Sequence, residues 1–116
     1  MAQYDLFASN CPLRFPLSII KGKWGSLIIL ALKNRPMRFS ELCRSIGGIS
    51  ERMASQSLKY LVRYGLVRRS VVGTTNPPQV SYALTPLGRQ FAVPLTQLAA
   101  LANDHADEIL WEQRHG

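Results

Sequence analysis

The chain has 116 residues, of which 47% are hydrophobic and 18% are charged. This length and composition predict a single globular domain with a substantial core, and they argue against wholesale disorder. The charge is unusual, because 14 Lys and Arg residues outnumber 7 Asp and Glu residues and leave a formal net charge of +7. Such an excess favours a polyanionic partner, either nucleic acid or an anionic membrane surface.

Membrane-spanning and secreted classes fit the sequence poorly. The longest unbroken apolar run, Leu27 to Leu32, is far shorter than the roughly 20 residues of a spanning helix. The N-terminus lacks the basic region and apolar stretch of a secretory signal. Two cysteines, Cys11 and Cys43, do not make a disulfide scaffold. We therefore expect a cytoplasmic protein that does not partner with a membrane.

The basic residues are concentrated in the middle of the chain. Between Arg14 and Arg89, 13 Lys and Arg residues face only Glu41 and Glu51, which gives a net charge of +11. The remaining residues carry a net charge of −4, most of it near the C-terminus. This division predicts a polyanion-binding body and an acidic C-terminal helix. A basic surface that is merely solvated is the alternative that the charge alone leaves open.

The first third of the chain predicts two helices and a short extended segment. Pro12 to Ile20 is predicted to form a short helix that ends near Gly22. Apolar residues at spacings of three and four predict a buried helix from Trp24 to about Lys33. Pro36 ends that helix, and Met37 to Phe39 is predicted to be extended.

The next segment has the layout of a helix-turn-helix over residues 37–65. Ser40 is predicted to cap a short helix from Glu41 to about Ile46, which ends at two glycines. Ser50 is predicted to cap a longer helix from Glu51 to Tyr64, and Gly65 closes it. A short helix, a glycine turn and a second capped helix are typical of this motif.

A hairpin is predicted over residues 66–84. Two β-branched runs, Leu66 to Val72 and Val80 to Leu84, flank a loop rich in Gly, Thr, Asn and Pro. A helix-turn-helix followed by a two-stranded hairpin is a winged helix. The expected fold is therefore mainly α with a small β-hairpin (α+β), arranged as a winged helix-turn-helix between N- and C-terminal helices.

The C-terminal region, residues 86–113, is predicted to be helical and to mediate dimerisation. Thr85 and Pro86 mark a helix start, and Pro94 is expected to kink or restart the helix. Beyond Pro94 an apolar stripe has the spacing of a coiled coil. The predicted dimer interface consists of Leu95, Leu98, Leu101, Ala102, His105 and Ile109. Packing of this stripe against the first helices of the same chain is the alternative.

An ordered set of short motifs resembles the HxlR-type regulators. The matching motifs are Cys11-Pro12, Gly22-Lys23-Trp24, Leu27-Ile28-Ile29-Leu30, Arg38-Phe39-Ser40-Glu41-Leu42, Gly48-Ile49-Ser50, Leu58 with Leu61, Gly65-Leu66-Val67, Pro77-Pro78, Tyr82-Ala83-Leu84-Thr85 and Leu87-Gly88. The resemblance implies a bacterial winged-helix transcription regulator, related to the MarR type, that binds palindromic operators as a homodimer. It implies one domain over residues 1–116, with N-terminal helices at 12–33 and dimerisation helices at both ends.

The resemblance also implies that the Glu51–Tyr64 helix is the recognition helix. Four polar residues share one face of it at helical spacing, and the predicted base-reading set is Arg52, Ser55, Gln56 and Lys59. The predicted phosphate contacts are Arg38, Ser40, Arg68, Arg69 and Thr75. The alternative is that the polar residues form only the solvent face of an amphipathic helix.

Some relatives sense oxidants or electrophiles through a cysteine just before the first helix, and Cys11 occupies that place. A thiolate near Arg14 and a helix start would be stabilised electrostatically, as reactivity requires. The alternative is a small apolar residue packed at the dimer interface, and Cys43 is predicted to fill the core. The two cysteines, His105 and His115 lack the paired spacing of a metal site, so no metal or cofactor is expected.

Enzyme motifs are missing from the sequence. It contains no phosphate-binding loop, no glycine-rich dinucleotide turn and no supported Ser-His-Asp or Cys-His order, so an enzyme is not expected. The competing class is a winged-helix module that binds protein without specific DNA readout. Such a module is expected to expose apolar or acidic residues on its second helix, whereas this helix exposes polar and basic ones. Double-stranded DNA is therefore the predicted partner, and the identity of any effector stays open.

Overall fold

The computed structural model describes residues 3–14, 18–19, 22–74 and 77–116. The elements in chain order are α1 (Gly25–Leu32), β1 (Met37–Arg38), α2 (Phe39–Ser45), α3 (Glu51–Arg63), β2 (Val67–Val72), β3 (Gln79–Leu84), α4 (Pro86–Asp104) and α5 (Ala106–His115). The three strands form one antiparallel sheet in the order β1-β3-β2. The predicted winged helix-turn-helix is confirmed, and β1 extends the predicted hairpin to three strands.

One apolar core joins α1, α2, α3, α4 and the sheet. Helix α1 contributes Ile28, Ile29 and Leu32, which are all 2% exposed or less because this short helix is surrounded by neighbours. The buried residues of the core are Ile19, Ile28, Ile29, Leu32, Leu42, Ile46, Leu58, Leu61, Leu66, Val67, Leu84, Ala92 and Leu95. Burial of these side chains is the main force that holds the helices against the sheet.

The ends of α3 form as the sequence predicts. The hydroxyl of Ser50 accepts the backbone N–H of Met53 at 3.1 Å and so satisfies one free donor of the first turn. Gly65 closes the helix with a φ of +78°, a left-handed conformation that glycine adopts at little cost. Gly48 adopts the same left-handed conformation, with a φ of +84°, in the turn between α2 and α3. These three residues set the angle at which α3 leaves the turn.

The start of α2 differs from the prediction that Ser40 is its N-cap. The cap position belongs to Arg38, whose backbone N–H donates to the Glu41 carboxylate at 3.2 Å. Ser40 therefore lies inside the first helical turn. The Glu41 carboxylate already supplies a capping contact at this end of the helix. That N–H and the nearby Arg35 guanidinium, 3.0 Å from Glu41, lower the pKa of the Glu41 carboxyl.

The strand register sorts the two wing arginines onto opposite faces of the sheet. In the β2–β3 pair Arg69 lies opposite Tyr82 and Arg68 lies opposite Ala83. Because side chains alternate along a strand, Arg69 shares its face with the buried Val67, whereas Arg68 points to the other face. Strand β1 pairs Met37 with Tyr82 along the other edge of β3, which anchors the start of the helix-turn-helix to the sheet.

Helix α4 is continuous through Pro94, so the predicted restart at that residue is wrong. The Thr85 hydroxyl accepts the Gly88 N–H at 3.0 Å and caps the helix as predicted. Pro94 removes one backbone hydrogen bond. Burial of Ala92 and Leu95 on either side of it keeps the helix against the core. The break between the C-terminal helices comes instead at His105, which separates α4 from α5.

The predicted helix over residues 12–20 is only partly present in the described residues. Residues 12–14 are not helical, whereas Ser18 and Ile19 are helical, and residues 15–17 and 20–21 lie outside the described ranges. The reason is local, because the Cys11 N–H donates to the Ala8 carbonyl at 3.1 Å and the Leu13 N–H donates to the Cys11 sulfur at 3.4 Å. These contacts fold the segment into turns and delay the start of the helix.

The chain is more extended than a compact domain of its length. Its radius of gyration is 16.5 Å, compared with about 13 Å for a compact domain of this length. Helix α5 has no buried residue and therefore adds length without adding to the core. Within the described part of the chain, no helix is both long enough and apolar enough to cross a membrane.

Candidate nucleic-acid interface

Helix α3 buries one side and presents a polar side to solvent. Its buried side consists of Ala54, Leu58 and Leu61. The predicted base-reading residues lie on the remaining surface, where Arg52, Gln56 and Lys59 are exposed and Ser55 is half-buried. Ser55 is the member of this set nearest to the buried side of the helix. A capped helix with an exposed polar face beside a wing has the geometry that enters a major groove.

A groove runs between α3 and the sheet, and we call it the α3–wing groove. It is lined by Ser55, Leu58, Lys59, Val62, Arg63, Arg69 and Tyr82. Strand β2 supplies Arg69 to this groove and turns Arg68 away from it, as the register requires. Three of the lining side chains are cationic and none is acidic, so the groove is electropositive and suits a phosphate backbone.

Arg63 is a groove residue that the predicted site lacks. It is exposed, and its guanidinium lies over the Tyr64 ring at 5.9 Å from the ring centroid. Its position was readable in the sequence, since Arg63 follows Lys59 by four residues and therefore shares its helix face. Arg63 lies at the far end of the helix, and the wing places Arg69 in the same groove.

The cations of this surface have no acidic partners among the described residues. The ion pairs found among the described residues are Arg35 with Glu41 at 3.0 Å and His105 with Glu108 at 3.1 Å. Neither pair includes a cation of α3 or of the wing. Unpaired positive charge on a helix face and an adjacent strand attracts polyanions, and no internal ion pair has to be broken when these cations bind them.

A second, smaller groove lies on the opposite flank of α3, next to the N-terminal segment. Gln56 and Tyr60 line it from α3, and Ser18 and Gly25 line it from the other side. The hydroxyl oxygens of Ser18 and Tyr60 lie 2.8 Å apart and form a hydrogen bond. This contact ties the segment that follows Cys11 directly to α3, one turn beyond Gln56.

The predicted phosphate contacts occupy three different places. Arg38 and Ser40 are exposed at the start of α2. Arg69 lies in the α3–wing groove, whereas Arg68 lies on the outer face of the sheet. Thr75 lies outside the described residues. Among the described members of this set, Arg69 alone lines the α3–wing groove.

The two cysteines have different surroundings. Both are free and half-buried. The Arg14 guanidinium donates to the carbonyls of Leu6 and Phe7 at 2.8 and 2.9 Å, so its hydrogen bonds go to the backbone and not to Cys11. Burial, followed by the nearby Glu51 carboxylate, raises the pKa of the Cys43 thiol. No three His, Cys, Asp or Glu side chains of the described ranges are grouped as metal ligands.

The predicted dimer residues separate into one core residue and an exposed stripe. Leu95 is 9% exposed and packs in the core of the protomer, so little of it is available to a partner. Leu98, Leu101 and Ile109 are 46%, 56% and 50% exposed. Ala102 and His105 are also exposed. Of the predicted interface residues, Leu95 is therefore the one that packs within its own chain, as the alternative interpretation expected for the whole stripe.

Three comparisons with known proteins agree with this geometry. The HTH-type transcriptional regulator YtfH of Escherichia coli K12 is 42% identical over 106 residues, which cover 91% of this chain and 83% of that protein. The structure of the transcriptional regulator ytfH from Salmonella typhimurium superposes with a TM-score of 0.85 at 38% identity, and covers 97% of this chain and 99% of that one. The redox regulator HypR in its reduced form has a TM-score of 0.77 at 31% identity, over 84% of this chain and 96% of that one.

The family assignment follows from these matches and from the fold. Residues 19–109 match the HxlR-like helix-turn-helix family. That range contains α1 to α4 and the whole wing, so the match covers α3 and the groove beside it. The relatives described above are named as transcriptional regulators, which accords with the basic face of α3. The chain is therefore a DNA-binding transcriptional regulator that belongs to the HxlR-like helix-turn-helix family.

Proposed function

We propose that this regulator acts in the cytoplasm as a homodimer that reads a palindromic operator through α3, and that Cys11 makes it responsive to oxidants or electrophiles. The observation that carries the proposal is the exposed polar face of α3 beside the electropositive α3–wing groove. The chain works as one domain, with the helix-turn-helix at 37–65, the wing at 66–84 and dimerisation segments at 12–33 and 86–113.

Base reading is assigned to the N-terminal half of α3. Arg52 can donate two parallel hydrogen bonds to guanine O6 and N7, and Gln56 can pair with adenine N6 and N7. Ser55 and Lys59 reach either a base edge or the backbone, since Lys59 also lines the α3–wing groove. The capped first turn of α3 supports this assignment, because it fixes the backbone from which these side chains project.

Phosphate binding is assigned to the cations around α3. Arg69 and Arg63 hold the backbone that crosses the α3–wing groove, and Arg38 with Ser40 holds the backbone at the start of α2. Arg68 remains in the proposed set, although it lies on the outer face of the sheet. It contacts a phosphate where the DNA backbone runs past the edge of the wing. Thr75 remains a proposal at the wing tip.

Dimerisation is assigned to the exposed stripe of α4 and α5. Leu98, Leu101 and Ile109 expose about half of their surface in the protomer. Contiguous exposed apolar side chains of this kind mark interaction sites. A second copy of the same chain is the simplest partner, because twofold symmetry also places two recognition helices on successive turns of DNA, about 34–36 Å apart.

DNA binding is tested by fluorescence anisotropy with the DNA that flanks the gene of this protein. We expect tight, sequence-selective binding that weakens steeply with salt, because several phosphates are neutralised. Arg52→Ala should weaken specific binding by about 2 kcal/mol, or roughly 30-fold, and relax the preference at one operator position. The matched variant Arg69→Ala should weaken binding to all sequences alike and make the salt dependence shallower by about one phosphate.

Two results would contradict this assignment. If Arg52→Ala keeps both its affinity and its sequence preference, α3 does not read bases in the proposed register. If the wild-type protein shows no preference over random DNA at any salt concentration, a protein-binding winged helix becomes the better description.

The redox response is assigned to Cys11, with support from the similarity to a regulator that is named as a redox regulator. We expect treatment with the thiol oxidant diamide to release the wild-type protein from its operator, and Cys11→Ser to resist this release. Cys43→Ser is the matched control and should respond like the wild type, because burial raises the pKa of the Cys43 thiol and leaves less reactive thiolate. Equal responses of Cys11→Ser and wild type would remove Cys11 from the mechanism.

A further inference from the structure

An open groove of about 430 Å³ lies between the C-terminal end of α1 and one side of α4. We call it the α1–α4 groove. It shares no lining residue with the α3–wing groove, so it is separate from the proposed DNA surface. Its volume lies within the range of sites that bind small molecules.

The groove has two cations and no acidic lining residue. Lys33 lines it from the end of α1 and Arg89 lines it from the second turn of α4. Neither forms an ion pair with any residue in the described ranges. Two cations that face one groove repel each other and favour an anion between them. A guanidinium also matches the geometry of a carboxylate, to which it can donate two hydrogen bonds.

Lys33 is held in place before any ligand arrives. Its ammonium donates to the Thr96 hydroxyl at 3.2 Å, and that hydroxyl donates to the Ala92 carbonyl at 2.8 Å. Lys33 is half-buried, and two of its three ammonium protons remain for a ligand. A cation that is already ordered loses less conformational entropy on binding, so the groove is preorganised for an anion.

The floor of the groove is apolar. Leu84 and Ala92 lie in it and are 6% and 5% exposed, and Val93 beside them is 57% exposed. The amides of Asn34 and Gln97 add polar atoms at the rim. An inorganic anion would leave this apolar surface wet, whereas a ligand with a hydrocarbon body would cover it.

We propose that the α1–α4 groove binds a small organic monocarboxylate. The carboxylate lies between Lys33 and Arg89, and the apolar body lies on Leu84, Ala92 and Val93.

The position of the groove gives such a ligand a regulatory role, and this part rests on the proposed function. The groove joins the end of α1, just before the helix-turn-helix, to α4. A helix turns about 100° per residue, so Leu98 and Ala102 of the exposed stripe lie away from Val93, whereas Leu101 follows Gln97 by one turn on the same side of α4. A bound ligand therefore braces the DNA-binding body against the dimerisation helix beside Leu101 of the stripe.

Binding is tested by isothermal titration calorimetry of the full-length chain with sodium benzoate. We expect saturable binding of one benzoate per chain. Benzamide, which keeps the ring and lacks the charge, and acetate, which keeps the charge and lacks the ring, should each bind at least about tenfold more weakly. Equal binding of benzamide or acetate would overturn the proposal, as would a benzoate titration without saturable heat.

Variants locate the site. Lys33→Gln and Arg89→Gln should each weaken benzoate binding about tenfold or more. Arg114→Gln, which removes an equal charge from α5, should leave it unchanged. Unaltered binding by the well-exposed Arg89→Gln variant would place benzoate elsewhere and refute the site. The titration contains no DNA, so benzoate binding with no operator binding would disprove the proposed function and leave the carboxylate site standing.

Discussion

Replacement of Leu101 and Ile109 together by aspartate is expected to convert the protein to a folded monomer and to weaken operator binding by at least about 100-fold. These side chains are 56% and 50% exposed and lie outside the core cluster, so the protomer should keep its fold. In the proposed dimer both would be buried against a second copy, where an unpaired carboxylate is strongly unfavourable. A monomer also loses the gain from binding two half-sites at once.

Sedimentation velocity measures the change in mass, and circular dichroism reports whether the helices persist. The matched control is the double variant Asn103→Asp with Gln113→Asp, which adds the same two charges to exposed positions of α4 and α5 without removing an apolar side chain. It should remain dimeric. A Leu101→Asp, Ile109→Asp protein that still sediments as a dimer and binds its operator normally would rule out the stripe as the interface. Truncation before Leu95 is a poorer test, because Leu95 is a core residue.

Gly88→Ala is expected to destabilise the protein by about 3 kcal/mol, or more than 100-fold in the unfolding equilibrium. In an ordinary helix this substitution would stabilise by up to about 1 kcal/mol. Here a Cβ atom would overlap the Leu66 carbonyl oxygen and come within 3.3 Å of a Leu84 methyl carbon. The steric cost therefore outweighs the gain in helix propensity.

The overlap cannot be relieved by a small shift. The Leu66 carbonyl accepts the Thr85 N–H at 3.1 Å, and the Leu66 N–H donates to the Leu61 carbonyl at 3.0 Å. Movement of α4 instead would expose Ala92 and Leu95, which are buried. Urea unfolding followed by circular dichroism measures the loss. Gly47→Ala is the control, because nothing lies within 4 Å of its added Cβ, and it should change stability by no more than about 0.5 kcal/mol. A neutral or stabilised Gly88→Ala would mean that α4 lies farther from Leu66.

Helix α3 could be predicted because its signals are local. A serine cap, an apolar stripe and a closing glycine each act within one or two turns, and the cap and the glycine appear in the structure. Of the stripe expected from Ala54, Leu58, Leu61 and Val62, the first three are buried and Val62 is 37% exposed. The helix start at Thr85 follows from the same kind of short-range chemistry. Local rules failed at Ser40, because the Glu41 carboxylate provides a competing cap and starts α2 at Phe39.

The fate of the C-terminal stripe required the tertiary structure. Leu95 and Leu98 have equivalent places in the heptad-like pattern, yet one is buried in the core and the other is 46% exposed. Periodicity identifies an apolar face but not the surface that covers it. Pro94 is a similar case, because tertiary burial on both sides of it overrides the tendency of proline to end a helix.

The sequence by itself determined the order of the elements, the caps of α3 and α4, the concentration of positive charge and the polar face that carries Arg52 and Gln56. These features depend on interactions between residues that are close in the chain. Only the tertiary structure decided that Arg63 and Arg69 share a groove and that Arg68 faces away from it. It also decided that Lys33 and Arg89 line a common groove. Each of these pairings joins residues from different elements, and the distance between such residues is set by how the core packs the helices against the sheet.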